Sequence, residues 1–144
     1  MRRIAIASDH GGLALKAELS RALAEKGVEI ADLGPATAEP VDYPDFAAAL
    51  CEEILAGRAA AGILVCGTGI GMSIAANRRK GIRAALCTDP YMARMAREHN
   101  DANVLCLGGR VVGPGLAIDI ATAFLDGAFA GGRHERRLAK IDAP

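Results

Sequence analysis

The chain has 144 residues, enough to bury a hydrophobic core as one domain. Apolar residues make up 51% of it but aromatics only 3%, so Ala, Leu, Ile and Val must fill an interior suited to helices packed closely on a sheet. Lys plus Arg and Asp plus Glu each number 17, which leaves no global field to draw nucleic acid or a membrane surface, and no run of about 18 apolar residues reads as a membrane span.

Short β-branched runs alternate with longer amphipathic ones. Met1-Arg2-Arg3-Ile4 leads into a first strand over Arg3–Ser8, stopped by Asp9-His10. That segment is too short for a signal peptide and lacks a small-residue cleavage site, so the expected compartment is the cytoplasm. A helix follows over Leu13–Lys26, halted by Gly27, and Val28–Asp32 reads as the second strand. A Pro-containing loop leads to a helix over about Asp45–Ala56. Ala61–Cys66 is the third strand, entering Gly67-Thr68-Gly69-Ile70-Gly71 and a helix that ends before Gly81. Arg83–Cys87, a helix over Pro90–Glu98, the strand Val104–Leu107 and a helix over Pro114–Leu125 complete the alternation. The tail, Gly131–Lys140, reads as a loop and a short basic helix, with Lys140 facing solvent.

Strands alternating with helices imply right-handed crossovers and a parallel sheet covered on both faces. Strands apolar throughout, rather than alternating, agree with that. The expected fold is a three-layer α/β/α sandwich, Rossmann-like, with five parallel strands in a single domain over 1–144 and a basic segment at about 131–144. Ligands of such sheets bind outside the carboxyl ends of the strands. The residues there are Asp9-His10, Gly67-Thr68-Gly69, Thr88-Asp89 and Gly108-Gly109-Arg110.

Gly67, Gly69 and Gly71 let the backbone bend and present several N–H groups to one anion, or else simply allow close packing. Two familiar phosphate loops are excluded. A dinucleotide fingerprint needs Gly where Met72 stands, and Met72-Ser73-Ile74 fails the P-loop pattern. Four cysteines, Cys51, Cys66, Cys87 and Cys106, form no C-x-x-C pair and match no zinc module. Three read as small core hydrophobes. Cys66 differs, because N–H groups and a helix N-terminus favour a thiolate there, and a base working near neutral pH contributes about 10²–10⁴ in rate.

Asp9 either orients His10, binds a hydroxyl or caps the first helix. His10 lies at the expected ligand edge, whereas His99, followed by Asn100, closes the fourth helix and serves either chemistry or the helix dipole. Arg133 and Arg137, at i and i+4, share one helix face. They could grip a phosphate by forked hydrogen bonds, or form a solvated face.

Together, Asp9-His10-Gly11-Gly12, Asp42-Tyr43-Pro44, Cys66-Gly67-Thr68-Gly69-Ile70-Gly71, Ile74-Ala75-Ala76-Asn77, Glu98-His99-Asn100 and Gly132-Arg133-His134 resemble ribose-5-phosphate isomerase type B over nearly the whole chain. The wider family includes allose and galactose 6-phosphate isomerases. The resemblance implies an aldose–ketose isomerase that interconverts D-ribose 5-phosphate and D-ribulose 5-phosphate through an enediolate, with no cofactor and no metal. It makes Cys66 the base and His99 the acid that opens the furanose ring, aided by Asp9 and Thr68. The N–H groups of Gly67, Thr68, Gly69, Ile70 and Gly71 would cradle the intermediate, with Asn100 on the developing oxygen charge. His10, Arg110, Arg133 and Arg137 correspond to the phosphate grip, and Tyr43 to the pocket wall. One branch of the family uses a glutamate at the position of Met72, so this chain resembles the cysteine branch. The implied assembly is a homodimer, or a tetramer, with sites shared between subunits. A six-carbon sugar phosphate and a non-catalytic sugar-phosphate sensor are the rival readings.

Overall fold

The apolar runs become the strands of a parallel sheet, and the amphipathic runs cover it. The computed structural model describes residues 2–144. Strands β1 (Arg3–Ser8), β2 (Glu29–Asp32), β3 (Ala61–Cys66), β4 (Ala84–Leu86) and β5 (Val104–Gly108) alternate with helices α1 (Leu13–Glu25), α2 (Tyr43–Leu55), α3 (Ile70–Asn77) and α4 (Pro90–Glu98). Helices α5 (Pro114–Asp126) and α6 (Arg133–Asp142) follow β5, and a single 3-10 turn, His10–Gly12, joins β1 to α1.

The strand order is β2-β1-β3-β5-β4, every pairing parallel. Alternate residues serve two cores, as the two-residue period of a strand requires. Ile4, Ile6, Ile63, Val65, Leu105 and Leu107 pack with α1, α4 and α5, whereas Ala5, Ala7, Leu64, Cys66, Val104 and Cys106 pack with α2 and α3. The three-layer expectation therefore holds. The inner strands β3 and β5 are apolar and buried along their whole length. At the sheet edge β2 carries exposed Glu29 and Asp32, because only one neighbour covers it. Strand and helix ends otherwise fall within two residues of the sequence reading. No helix among the described residues is long and apolar enough to cross a membrane.

Helix α1 shows how a sequence period becomes a packed face. Leu15, Leu19 and Leu23, four apart, are buried on one stripe. Lys16 beside them is buried too, at 3% exposure, and its Nζ donates to Asp32 Oδ1 at 2.7 Å and to the carbonyl of Pro35 at 3.0 Å. That clamp anchors the loop leading from β2 to α2.

The order in which strands are added reverses between β1 and β3, and the loops after these strands meet at the resulting crevice. Their approach is backbone on backbone. A Cβ at Gly12 would stand 2.4 Å from the carbonyl oxygen of Val65, and one at Gly108 would stand 2.7 Å from that of Thr68. Gly12→Ala should therefore cost about 1–3 kcal/mol, as overpacked sites do. Thermal melting checks this, and an unchanged Tm would show that the β1 and β3 loops do not pack this tightly.

Candidate active site

Cys66 is the last residue of β3, paired in register with Gly108 of β5. Its neighbours are locked by main-chain bonds: Asp9 N–H donates to the carbonyl of Val65, Gly109 N–H to that of Cys66, and Arg110 N–H to that of Gly67. The ends of β1, β3 and β5 are thus one unit. Gly69 adopts φ +82°, the left-handed region that favours glycine, and stands at the N-cap of α3. This turn aims the Gly69 N–H at Cys66 Sγ, 3.1 Å away. Thr68 Oγ1 accepts from Ile70 N–H at 3.2 Å. The first turn of α3 thereby presents its N–H groups at the mouth of the loop.

The other three thiols have a different fate. Burial pushes Cys51 and Cys106 up from the ordinary thiol value, and burial, reinforced by Asp89, pushes Cys87 up to about 11. They are core side chains, as their sequence setting suggests. Met72 is fully buried among α2, α3 and the sheet.

Asp9 is nearly buried, and its Oδ1 accepts from Gly12 N–H at 3.0 Å. It is therefore a cap of the helical turn as well as a wall of the crevice. A Cβ placed at Gly11 would lie 3.3 Å from Asp9 Oδ1, 3.6 Å from Gly67 N and 3.7 Å from Arg110 Nη2, so these three groups enclose one small space. His10 is exposed, and its Nδ1 accepts from Val41 N–H at 3.2 Å. That bond leaves Nε2 of the neutral ring as the outward donor. Tyr43 begins α2 and lays its ring over Gly71, where a Cβ would stand 2.6 Å from Cε1. The role of Val41 was illegible in the sequence, because a backbone N–H carries no residue signature. The Lys16 clamp, which holds the same loop, was likewise invisible.

His99, Asn100, Arg133 and Arg137 are placed elsewhere. Helix α4 starts after β4, at the carboxyl edge of the sheet, and its nine residues carry the chain about 13 Å to the opposite edge. His99 caps its far end, and Asn100 lines a cavity of about 620 Å³ bounded by residues 77–85 and the end of α6. Among the lining residues none belongs to the Cys66 loop. Within one chain the predicted site residues thus form two groups. Asp9, His10, Tyr43, Cys66, Gly67, Thr68, Gly69, Ile70, Gly71 and Arg110 share the carboxyl edge, and the other four share the amino edge.

The second group has its own order. Helix α6 buries His134 and Leu138 on one stripe, which leaves Arg133 and Arg137, one residue earlier and about 100° around, as an exposed ridge. The imidazole of His134 stacks on that of His99, with ring centres 4.2 Å apart and planes 17° from parallel. Burial holds His134 below the ordinary histidine value, and the nearby His99, Arg133 and Arg137 add to that shift.

The fold and the sequence are similar to those of known isomerases. A ribose-5-phosphate isomerase B structure from Clostridium thermocellum superposes with a TM-score of 0.96 at 54% identity, covering 97% of this chain and 95% of that one. Ribose-5-phosphate isomerase B of Escherichia coli is 47% identical over 143 residues, 99% of this chain and 96% of its own. D-erythrulose-4-phosphate isomerase of Pectobacterium atrosepticum is 45% identical over 143 residues, 98% and 93% of the two chains. Fold and relatives define the class, an isomerase built on a parallel α/β sheet. The chain belongs to the Ribose/Galactose Isomerase family, whose model matches residues 4–141.

The Tyr43–Gly71 contact gives a direct check of the pocket wall. Gly71→Ala should cost about 1–3 kcal/mol through overpacking. In a double mutant with Tyr43→Ala, the combined loss should fall short of the sum by about 0.5 kcal/mol or more, as for residues in contact. Melting or denaturant curves of the three variants measure this, and strictly additive losses would contradict the contact.

Proposed function

We propose that the chain interconverts D-ribose 5-phosphate and D-ribulose 5-phosphate, without cofactor or metal, in the cytoplasm. The whole chain acts as one sugar-phosphate isomerase unit, and neither nucleic acid nor a membrane enters the reading. The observation that carries it is the Gly69 N–H on Cys66 Sγ, among the described residues the one N–H-bonded thiol of four, beside a helix N-terminus and the Asp9–Arg110 crevice.

The chemistry follows from these groups. Opening a furanose ring breaks the C1–O4 bond; the C1 hydroxyl loses its proton and O4 gains one, giving an aldehyde. Cys66 then takes the C2 proton, and charge moves onto O1 of an enediolate. N–H groups of the Gly67–Gly71 loop are suited to hold that charge, where a single preorganised donor contributes about 3–4 kcal/mol. Return of that proton from Cys66 to C1, with transfer of the O2 proton to O1, yields the ketose. His10 and Arg110 supply cationic or donor contacts to the phosphate, so that remote binding positions the reacting carbons.

Ring opening and the rest of the phosphate grip need His99, Asn100, Arg133 and Arg137, which lie at the other edge of the sheet. A homodimer, alone or paired into a tetramer, answers this by setting the amino edge of one copy against the carboxyl edge of the other. Exposed Ile70 and Ile74 on α3, between the two edges, give such a contact an apolar face. A second reading of the substrate, a four-carbon sugar phosphate, is favoured by the similarity to D-erythrulose-4-phosphate isomerase.

Turnover of ribose 5-phosphate should persist in a chelator and fall by about 10² or more in Cys66→Ala. Folded wild-type protein that turns over only four- or six-carbon phosphates would replace the substrate, and tight binding with no turnover would replace the enzyme by a sensor. For the shared site, Cys66→Ala and His99→Ala chains, each inactive alone, should regain activity on mixing through hybrid dimers with one intact site. No recovery, with subunit exchange demonstrated, would refute the sharing.

A further inference from the structure

His134 lies outside the chemistry described so far, yet it is the buried residue on which two functional elements rest. It is 7% exposed, on an otherwise strongly charged helix. Its ring covers one face of His99, 4.2 Å centre to centre. Its burial also fixes the rotation of α6, and so the direction of the Arg133–Arg137 ridge. The loop before α6 is tied to the same place, where Ala130 N–H donates to the carbonyl of Glu98 at 2.9 Å.

We propose that His134 is a positioning residue for ring opening: its buried imidazole, stacked on His99, holds the His99 ring in the plane from which it exchanges protons with the furanose oxygens of the substrate. This rests on the isomerase reading above. A histidine at a helix end has two free side-chain torsions, and covering one face of its ring removes most orientations at little cost. The support must stay uncharged, because two imidazolium rings stacked at this distance repel. Its surroundings meet that condition. Burial, His99 from α4, and Arg133 and Arg137 from its own helix all disfavour a proton on His134. Among the described residues no carboxylate comes within ion-pair distance of either ring, the nearby acids Glu98 and Asp101 being turned to Arg94, Arg97 and Arg83.

The test uses the intact oligomer and ribose 5-phosphate carrying deuterium at C2, with His134→Ala and His134→Phe beside wild type. His134→Ala should lose about tenfold in kcat, as a displaced catalytic group does. Its isotope effect should drop below the wild-type value, because slower ring opening hides the C2–D cleavage. His134→Phe keeps a flat face and should recover kcat to within about threefold, together with the isotope effect. Circular dichroism checks the fold; if the Ala variant is unfolded, His134→Leu, which fills the space without a flat ring, carries the same expectations. Wild-type kcat in the Ala variant, a loss with an unchanged or larger isotope effect, or a Phe variant no better than Ala overturns the proposal. Turnover by wild type in the same assay separates the two levels, since its absence defeats the isomerase reading itself.

Discussion

Three loops close on one another at the carboxyl edge of the sheet, and they do so without side chains between them. Gly12 meets the carbonyl of Val65, Gly108 meets the backbone of Thr68, and Gly109 donates to the carbonyl of Cys66 at 2.8 Å. Any Cβ at the first two positions would force the strand ends apart. Because they stay together, the Asp9 carboxylate, the Gly67 N–H and the Arg110 guanidinium enclose one small space, and the Gly69 N–H meets the Cys66 thiol at the end of the neighbouring strand. The register of β3 against β5 places Cys66 opposite Gly108, so a core pairing sets the position of the candidate base.

The same alternation that builds this edge also limits it. A helix following a parallel strand returns to the amino edge before the next strand begins, so whatever closes the helix stands far from the loop that opened it. His99 and Asn100 close α4 and are subject to that rule. The basic ridge of α6 docks beside them because His134 and Leu138 are the apolar stripe of that helix. One chain therefore holds its candidate site residues in two groups, at opposite edges of the sheet. The stack of His99 on His134 belongs to the second group, where burial, His99 and two arginines hold His134 below the ordinary histidine value.

Much of this was legible before any coordinates. The strands Arg3–Ser8 and Ala61–Cys66 and the helix Pro90–Glu98 fall where β-branched runs, Gly and Pro put them. Periodicity is a local property, and each of these segments states it strongly. The failures of local reading are equally specific. The edge strand β2 is half exposed because strand order, not strand composition, decides which strands have two neighbours. Asp9 left three readings open, of which the structure shows the cap, with the same carboxylate facing the crevice. Val41 and Lys16 escaped notice because an amide N–H and a single lysine have no pattern to read.

Read alone, the amino-acid sequence yields the list of parts: alternating elements, a glycine loop that is neither of the familiar phosphate motifs, a thiol where a strand enters that loop, and a family likeness spread along the chain. Periodicity, turn residues and ordered motifs are properties of neighbours in the chain, and they need no fold to be seen. Which parts meet is settled by the folded chain. That Tyr43 lies on Gly71, that His134 stacks on His99, and that His99 stands at the far edge from Cys66 depend on sheet order and helix direction. Those are relations between segments tens of residues apart, set by the burial of two cores at once, and no local pattern encodes them.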